Sequence, residues 1–499
     1  MDPPRDARGR AAWKGTESRR QDAFWWVAGI GLLSGLLHLI VKDAQLDIRE
    51  ATGDSSLFVN TARYVLATAG GFALYVLVLA LCAAGRLRSR GTQVLALAWP
   101  LAFNILFLIG SPSFSTDVLL YISQGYIGGP MGGNPYLQPG ASVAGTSLGM
   151  QLATYGWTPK PVSPYGPLWT AVEAIAVSMA DNIATQILVL KAVAIAASLA
   201  SAVLIWRILA CSRPERRLLG TLAFLWNPMV IVEFAGEGHN DAVMILFVLL
   251  AVALALRRQE PWALVALCGG VLTKFVPLVF LPVVVAWSCR TSSDQIQTVK
   301  RLAAGLGGAA LLALVTFRPW WSGLATLDGL RLAGRPGQHG STPTLVLEAL
   351  TRTTDLLPSL SMSLVMLAAT VVLAVVVAWA AWSATNAETF LRGEAAVAVA
   401  FLLAASPKYW PWYATLPVAL LVLPPGRLPV ALLVTLSLGS RLAAPLETFW
   451  EHSAISHFWF LLGTWLLGIG APLAVVAIAA VFSSRWRGST PCASALLHE

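Results

Sequence analysis

A single acid, Asp117, lies in an aromatic stretch rich in Gly and Pro, SPSFSTDVLLYISQGYIGGPMGGNPYLQPG, at residues 111–140. An apolar run long enough to cross a membrane ends just before it. A lone carboxylate at a membrane surface can take a proton from an attacking hydroxyl as a general base. It can also be an ordinary helix N-cap, because STD precedes VLLYISQGY. The two interpretations are compatible, since a cap at the mouth of a cavity can also face a substrate.

A second polar cluster, EFAGEGHNDAVM at residues 233–244, separates two apolar segments. Its amide and ionisable side chains are Glu233, Glu237, His239, Asn240 and Asp241. Such groups are costly at membrane depth and usually face a cavity or each other. The alternative is a polar turn in which Asn240 and Asp241 cap the next helix. Metal binding by His239 with Glu237 and Asp241 is a third interpretation, although the spacing matches no known ligand signature.

Three cations also follow apolar runs: Lys274 in VLTKFVPL, Arg318 in FRPWW and Lys408 in SPKYWPWY. Each alone could anchor a helix end at the membrane interface by extending its charged head into water. Together they place several cations on the outer side, where few are expected. This excess favours an anionic ligand bound through charge-assisted hydrogen bonds. The neighbouring Trp-rich runs could form interfacial belts or contact a long apolar chain.

The elements that position these residues must be membrane helices. The chain has 499 residues, of which 57% are hydrophobic and 12% charged, and its mean hydropathy is +0.68. A soluble domain usually carries about 25% charged residues. Alternating strand patterns are absent, which argues against a membrane β-barrel. The net charge is +9, but no basic stripe with interleaved aromatics accompanies it, so nucleic-acid binding is not expected. The sequence predicts an all-α, polytopic helix bundle in the lipid bilayer.

The basic clusters set the predicted topology, because short basic loops lie on the cytoplasmic side. If the Arg-rich N-terminus is inside, three crossings place residues 111–165 outside. The later basic loops then fall inside only if one of the next two apolar segments, residues 166–180 and 185–208, does not cross the membrane. We predict that residues 166–180 form an interfacial juxtamembrane helix, because this segment is short, begins with Gly-Pro and contains Glu173.

The predicted organisation is a multi-pass protein of the cell (inner) membrane, with about 14 spans (range 12–14) and both termini cytoplasmic. Its first apolar run is interpreted as an uncleaved helix. The segments are a cytoplasmic N-terminal segment (1–22), a transmembrane domain (23–482) with large outer loops at 111–184 and 318–360, and a cytoplasmic tail (483–499).

Several motifs between residues 111 and 417 carry a resemblance when taken together. They are STDVLLYISQG, GGNPY, SPYGPLW, WNPMVIVEFAGEGHNDA, LTKFVPLVFLP and SPKYWPWYATLP, in this order. The chain resembles the GT-C superfamily of polytopic glycosyltransferases that use polyprenyl-phosphate sugars. Within it, the chain is most similar to the bacterial polyprenol-phosphate-mannose-dependent α-mannosyltransferases.

The resemblance implies transfer of a hexose, mannose by analogy, from a polyprenyl-phosphate-linked donor to a glycan or glycolipid acceptor, at the outer face and with inversion. Asp117 would activate or position the acceptor hydroxyl, or help hold a divalent metal such as Mg²⁺ or Mn²⁺. Many relatives have paired acids there, whereas this chain has Ser115-Thr116-Asp117, so metal dependence stays open. Lys274, Arg318 or Lys408 would stabilise the leaving phosphate.

The resemblance also implies binding residues. The sugar or acceptor site would include Glu237, His239, Asn240, Asp241, Tyr121, Asn134 and Tyr136. The lipid entrance would be bordered by Tyr165, Trp169, Trp410 and Trp412. For the aromatic residues of the first outer loop, simple loop packing is an equal alternative.

Two other classes of function fit the same composition. A transporter or flippase of a lipid-linked sugar would share the bundle and the lipid cavity, but it would place ionisable groups nearer the middle of the membrane. A scaffold subunit would need no active site and should tolerate replacement of Asp117.

Overall fold

The computed structural model describes residues 22–51, 53–336, 339–354, 356–452 and 454–488. Within these ranges the chain is helical and contains no strand. The all-α fold class expected from the sequence is therefore confirmed. Residues 1–21 of the predicted N-terminal segment and residues 489–499 of the predicted tail lie outside the described residues.

Twenty-two α-helices are found in the described residues. The first twelve are α1 (Phe24–Arg49), α2 (Asp54–Ala83), α3 (Arg90–Leu108), α4 (Asp117–Gly128), α5 (Ser147–Thr154), α6 (Pro167–Ser178), α7 (Ile183–Ser212), α8 (Arg217–Leu225), α9 (Pro228–Ile231), α10 (Asp241–Leu256), α11 (Glu260–Thr273) and α12 (Leu281–Arg290). The others are α13 (Gln295–Phe317), α14 (Asp328–Ala333), α15 (Thr342–Thr353), α16 (Pro358–Ser383), α17 (Ala387–Ala400), α18 (Thr415–Leu421), α19 (Arg427–Ala443), α20 (Leu446–Glu451), α21 (His457–Trp465) and α22 (Ala471–Gly488). Short 3₁₀ or π turns extend or join several of them.

Eight helices in the described residues are long and apolar enough to cross a membrane, or nine if one bent pair counts as a span. Six of them are single helices, α1, α2, α3, α7, α13 and α16. The other two are the continuous stretches Arg427–Glu451 and His457–Val481. A total of about fourteen would require α10, α11, α12, α17 and α18 to cross as well, so that number stays a prediction.

The bent pair joins α8 to α9 and the π turn Val232–Gly236, with a bend of 52°. The helix stops before Pro228, and the Asn227 side chain accepts a 3.0 Å hydrogen bond from the backbone N–H of Met229 to restart it. After the π turn, Gly238 has a φ of +74°, a conformation that favours glycine. This local geometry places the polar cluster of residues 233–241 at one end of the bundle. π turns occur often at functional sites.

Helices α4 and α6 form a tightly packed pair beside this end. A Cβ atom at Gly125 would lie 2.4 Å from the carbonyl oxygen of Glu173, and one at Gly166 would lie 2.1 Å from that of Leu272. The backbone N–H of Gly166 also donates to the carbonyl of Thr273 at 3.1 Å. With twelve residues, α6 is roughly 18 Å long, too short to cross about 30 Å of hydrocarbon. A helix of this length fits the predicted juxtamembrane position, which stays a prediction.

The connections between helices meet in two groups. At one end, Arg49 donates to the carbonyl of Pro112 at 2.9 Å and His452 contacts that of Ala51 at 3.1 Å. At the other, Arg213 pairs with Glu388, and Arg216 donates to the carbonyl of Pro424 at 3.2 Å. The basic loop 213–217, which is predicted to be cytoplasmic, thus lies at the same end as the connections that follow α16 and α18, and Asp117 lies at the opposite end.

Candidate functional site

A cavity of about 1320 Å³ opens at the end of the bundle that contains Asp117. Its wall combines outer-loop residues with the ends of several helices. Seven of the residues singled out from the sequence line it: Asp117, Tyr165, Asp241, Lys274, Lys408, Trp410 and Trp412. The structure thus brings together acids, cations and aromatic rings from five separate motifs.

Asp117 is the first residue of α4, and its carboxylate is directed to side chains of other elements. Thr116 occupies the N-cap position without a side-chain capping bond. The hydroxyl of Tyr165 donates to Oδ2 of Asp117 at 3.2 Å, and Nδ1 of His239 lies 3.6 Å from the same oxygen. The Asp117 side chain is 23% exposed. The acid is therefore oriented by protein contacts and still reaches the cavity.

His239 connects Asp117 to a buried ion pair. Its Nε2 atom lies 3.3 Å from Oε2 of Glu233, and Glu233 in turn pairs with Arg441 of α19. Glu233, His239 and Arg441 are all at most 2% exposed. A buried charged group requires such partners. The result is an unbroken series of charged groups from α19 to the acid at the cavity.

The neighbouring charges shift the pKa values of Asp117 and His239 in opposite directions. Burial raises the pKa of Asp117, but interactions with His239 and Lys274 outweigh this effect and hold the pKa below its usual value. Burial disfavours the His239 imidazolium, yet the carboxylates of Asp117 and Glu233 raise the pKa of His239 to about 9. Asp117 is therefore ionised at neutral pH, as a general base must be.

Two of the three predicted phosphate-binding cations, Lys274 and Lys408, reach the cavity, and they differ in their charged partners. Lys274 Nζ lies 3.0 and 2.8 Å from the two carboxylate oxygens of Asp241 and 4.6 Å from the centre of the Tyr413 ring. Half-buried Lys408 has no carboxylate partner in the described part of the chain. Lys408 is thus available for an anion, whereas Asp241 neutralises Lys274.

Glu237 stabilises the segment that precedes Asp117. Its carboxylate accepts hydrogen bonds from three successive backbone N–H groups, those of residues 113–115, at 3.0 to 3.1 Å. Asn240 is fully buried, and its backbone N–H donates to the Tyr121 hydroxyl at 3.5 Å. Neither Glu237 nor Asn240 lies in the cavity wall. In this structure they fix the geometry of the polar cluster and of the Asp117 loop.

Four rings form a continuous ladder beside the cavity. Ring centroids are separated by 4.0 Å between His239 and Trp412, 4.7 Å between Trp412 and Trp410, and 3.7 Å between Trp410 and His339. His239 and Trp412 are nearly parallel, at 19°. Trp410 and Trp412 thus connect the second outer loop to the residue that contacts Asp117.

The other predicted site residues lie outside the cavity wall. Arg318 is exposed at the end of α13. The Asn134 side chain donates to the carbonyl of Trp320 at 2.8 Å, and the Tyr136 hydroxyl is 3.0 Å from that of Thr170. Trp169 is buried against Tyr121, with ring centroids 5.1 Å apart. These contacts of Asn134, Tyr136, Trp169 and Tyr121 pack the two outer loops and α6 together. The roles of these four residues in ligand binding stay predictions.

The donors at the site do not form an evident metal centre. Among the described residues, no group of three or more His, Cys, Asp or Glu side chains could hold a metal ion. Both oxygens of Asp241 contact Lys274, and Oδ2 of Asp117 contacts Tyr165 and His239. The arrangement thus does not fit a metal bound by protein ligands alone.

Sequence reasoning assigned no role to two residues that the structure places at the site. Arg441 lies on α19, far along the chain from its partner Glu233. Its signal is a charged residue at the end of an apolar helix, which usually marks a buried partner or a cavity. Gln124 of α4 lines the cavity but had no feature that separated it from an ordinary helix residue.

Together, these observations define a polytopic helical membrane protein in which one cavity holds an ionised acid and a cation without a carboxylate partner among the described residues. Residues 34–290, just over half of the chain, match the family model described as "Alpha-(1->6)-mannopyranosyltransferase, N-terminal domain". The chain belongs to this family, which confirms the resemblance seen in its motifs.

A curated relative gives the same assignment. The chain is 24% identical over 261 residues to "Alpha-(1->6)-mannopyranosyltransferase B" of Corynebacterium glutamicum. The match covers 47% of this chain and 40% of the relative.

Proposed function

We propose that this protein is a membrane mannosyltransferase. It transfers mannose from a polyprenyl-phosphate-linked donor to a hydroxyl of a glycan or glycolipid at the outer face of the membrane. The observation that carries this proposal is the oriented, ionised carboxylate of Asp117 in a cavity that also has a cationic and an apolar wall. Family membership supports mannose as the sugar.

Asp117 is the proposed general base. It accepts the proton of the acceptor hydroxyl while the hydroxyl oxygen forms a bond to the anomeric carbon of mannose. The bond from that carbon to the donor phosphate breaks, and its electron pair leaves with the phosphate. The attack comes from the face opposite the leaving group, so the product has inverted configuration.

The cations have different roles in this proposal. Lys408 stabilises the phosphate as its negative charge develops, because no carboxylate among the described residues neutralises it. Lys274 holds Asp241 and contributes to the field that lowers the pKa of Asp117. Arg318 lies outside the cavity wall. We therefore do not expect it to contact the reacting phosphate.

The polyprenyl chain has a suitable apolar wall. Residues of the 3₁₀ turn Val276–Phe280, of α16, of the π turn Phe401–Ala405 and of α18 contribute apolar side chains. They are Val276, Leu278, Val279, Met362, Phe401, Leu416 and Pro417. Lys408 follows the third of these segments, so a phosphate at Lys408 would have its chain along this wall.

The test is mannose transfer by the purified full-length protein in lipid nanodiscs. It is given polyprenyl-phosphate-mannose and an α-mannoside acceptor, and NMR of the product reports the linkage and the anomeric configuration. We expect a new mannosidic bond of inverted configuration, and much less transfer from the matched glucose lipid. Retained configuration would contradict the single displacement. Movement of the mannose lipid across vesicle membranes without a new bond would instead favour the transporter.

A further inference from the structure

The side chain of Gln124 is buried, yet its amide has no partner in the part of the chain that the structure describes. It is 1% exposed, and neither its Oε1 nor its Nε2 atom has a hydrogen-bond partner among the described residues. It nevertheless belongs to the wall of the cavity that contains Asp117. Because a buried amide without partners is costly, a molecule inside the cavity is the expected partner.

Gln124 and Asp117 lie on the same face of α4. Asp117, Leu120 and Gln124 all line the cavity, and their spacing of three and then four residues repeats on one side of a helix. Seven residues correspond to roughly 10 Å along the helix axis. Close packing of α4 on α6 at Gly125 fixes this separation.

The chemistry of an amide selects the type of ligand. Gln offers one acceptor oxygen and two donor hydrogens. A phosphate would leave the oxygen unpaired, and an apolar chain would leave both groups unpaired. A pair of sugar hydroxyls can satisfy both, since each hydroxyl donates and accepts.

We propose that Gln124 belongs to a saccharide subsite that binds the acceptor one sugar away from the reacting hydroxyl. This inference rests on the proposed function, which places the reacting hydroxyl at Asp117. Two helical turns exceed the length of one pyranose ring, so the sugar at Gln124 is a second unit of the acceptor. The donor is held by Lys408 and the apolar wall on other elements, which leaves the α4 face to the acceptor.

The test compares acceptors of different length. Transfer is measured onto an alkyl mannoside with one sugar and onto α-(1→6)-linked di- and trimannosides, for wild type and for Gln124→Leu. Loss of the amide is expected to raise KM for the longer acceptors roughly tenfold, the effect of about one to two hydrogen bonds. The KM of the one-sugar acceptor, the KM of the donor and kcat are expected to stay unchanged.

Two further variants complete the experiment. Gln151→Leu, at an exposed position on α5 outside the cavity wall, should leave every constant unchanged. Gln124→Met keeps an unbranched side chain and replaces Gln124→Leu if the latter fails to fold. The proposed subsite would be overturned if the Gln124 variant raised KM equally for all acceptors, changed the donor KM, or changed no constant. If wild type transfers mannose to no acceptor, the proposed function itself fails.

Discussion

At the scale of residues, the role of Asp117 depends on neighbours that the sequence does not reveal. The sequence singles out Asp117 because it is the lone acid in a long polar stretch, and it singles out His239 as part of a polar cluster. The contact between them depends on the turn at Gly238 and on the packing of α4. Local motifs therefore predict the chemical groups, whereas tertiary packing decides which of them meet.

Lys408 and Arg318 provide a matched test of the cationic wall. We predict that Lys408→Gln raises the KM for the polyprenyl-phosphate donor roughly tenfold and also lowers kcat, because a charge-assisted contact to phosphate is lost. Arg318→Gln should leave both constants near wild type, since Arg318 lies outside the cavity wall. Steady-state kinetics with varied donor distinguishes the two variants. Similar losses for both would place the phosphate nearer α13.

At the scale of elements, the sequence predicts where helices occur better than where they bend. Pro228 signals the break between α8 and α9, but the π turn that follows has no comparable signal in the sequence. That turn carries Glu233 toward α19. The Glu233–Arg441 pair could not be predicted, because an isolated Arg in an apolar segment indicates only that some partner exists.

The Glu233–Arg441 ion pair, which joins the π turn to α19, should contribute measurably to the free energy of unfolding. We predict that Arg441→Gln destabilises the protein by up to ~3–5 kcal/mol, because buried Glu233 then keeps only the His239 imidazolium as a charged partner. The double variant Glu233→Gln/Arg441→Gln should recover part of this loss, since both charges are removed. Thermal unfolding in detergent provides the comparison. If the double variant is as unstable as the sum of the single ones, the two residues do not act as a pair.

At the scale of the whole molecule, the cavity joins parts of the chain that are far apart in sequence. The family match ends at residue 290, yet the segments 329–336, 406–417 and 444–452 each contribute residues to the cavity wall. The conjunction of acid, cation and apolar wall thus needs both halves. The fold class was predictable from composition, because an apolar chain of this kind has few alternatives to a helix bundle.

The predicted topology places the cavity outside and the basic loops inside. Cys211 is exposed near the loop 213–217, and Met150 is exposed on α5 near the cavity. We predict that a membrane-impermeant maleimide labels Met150→Cys, in a Cys211→Ser background, in intact cells. Native Cys211 should react only after permeabilisation. The reverse pattern would place the cavity on the cytoplasmic side.

The central claim, that Asp117 is the general base of a mannosyltransferase, is tested most directly by transfer from polyprenyl-phosphate-mannose. Wild type is compared with Asp117→Asn at matched expression and verified folding. Asp181→Asn, an exposed acid in the same outer loop, is the control. We predict that Asp117→Asn lowers kcat at least ~10²-fold, the lower end for loss of an acid-base group, while Asp181→Asn stays near wild type. Equal transfer by folded Asp117→Asn and wild type would contradict the claim.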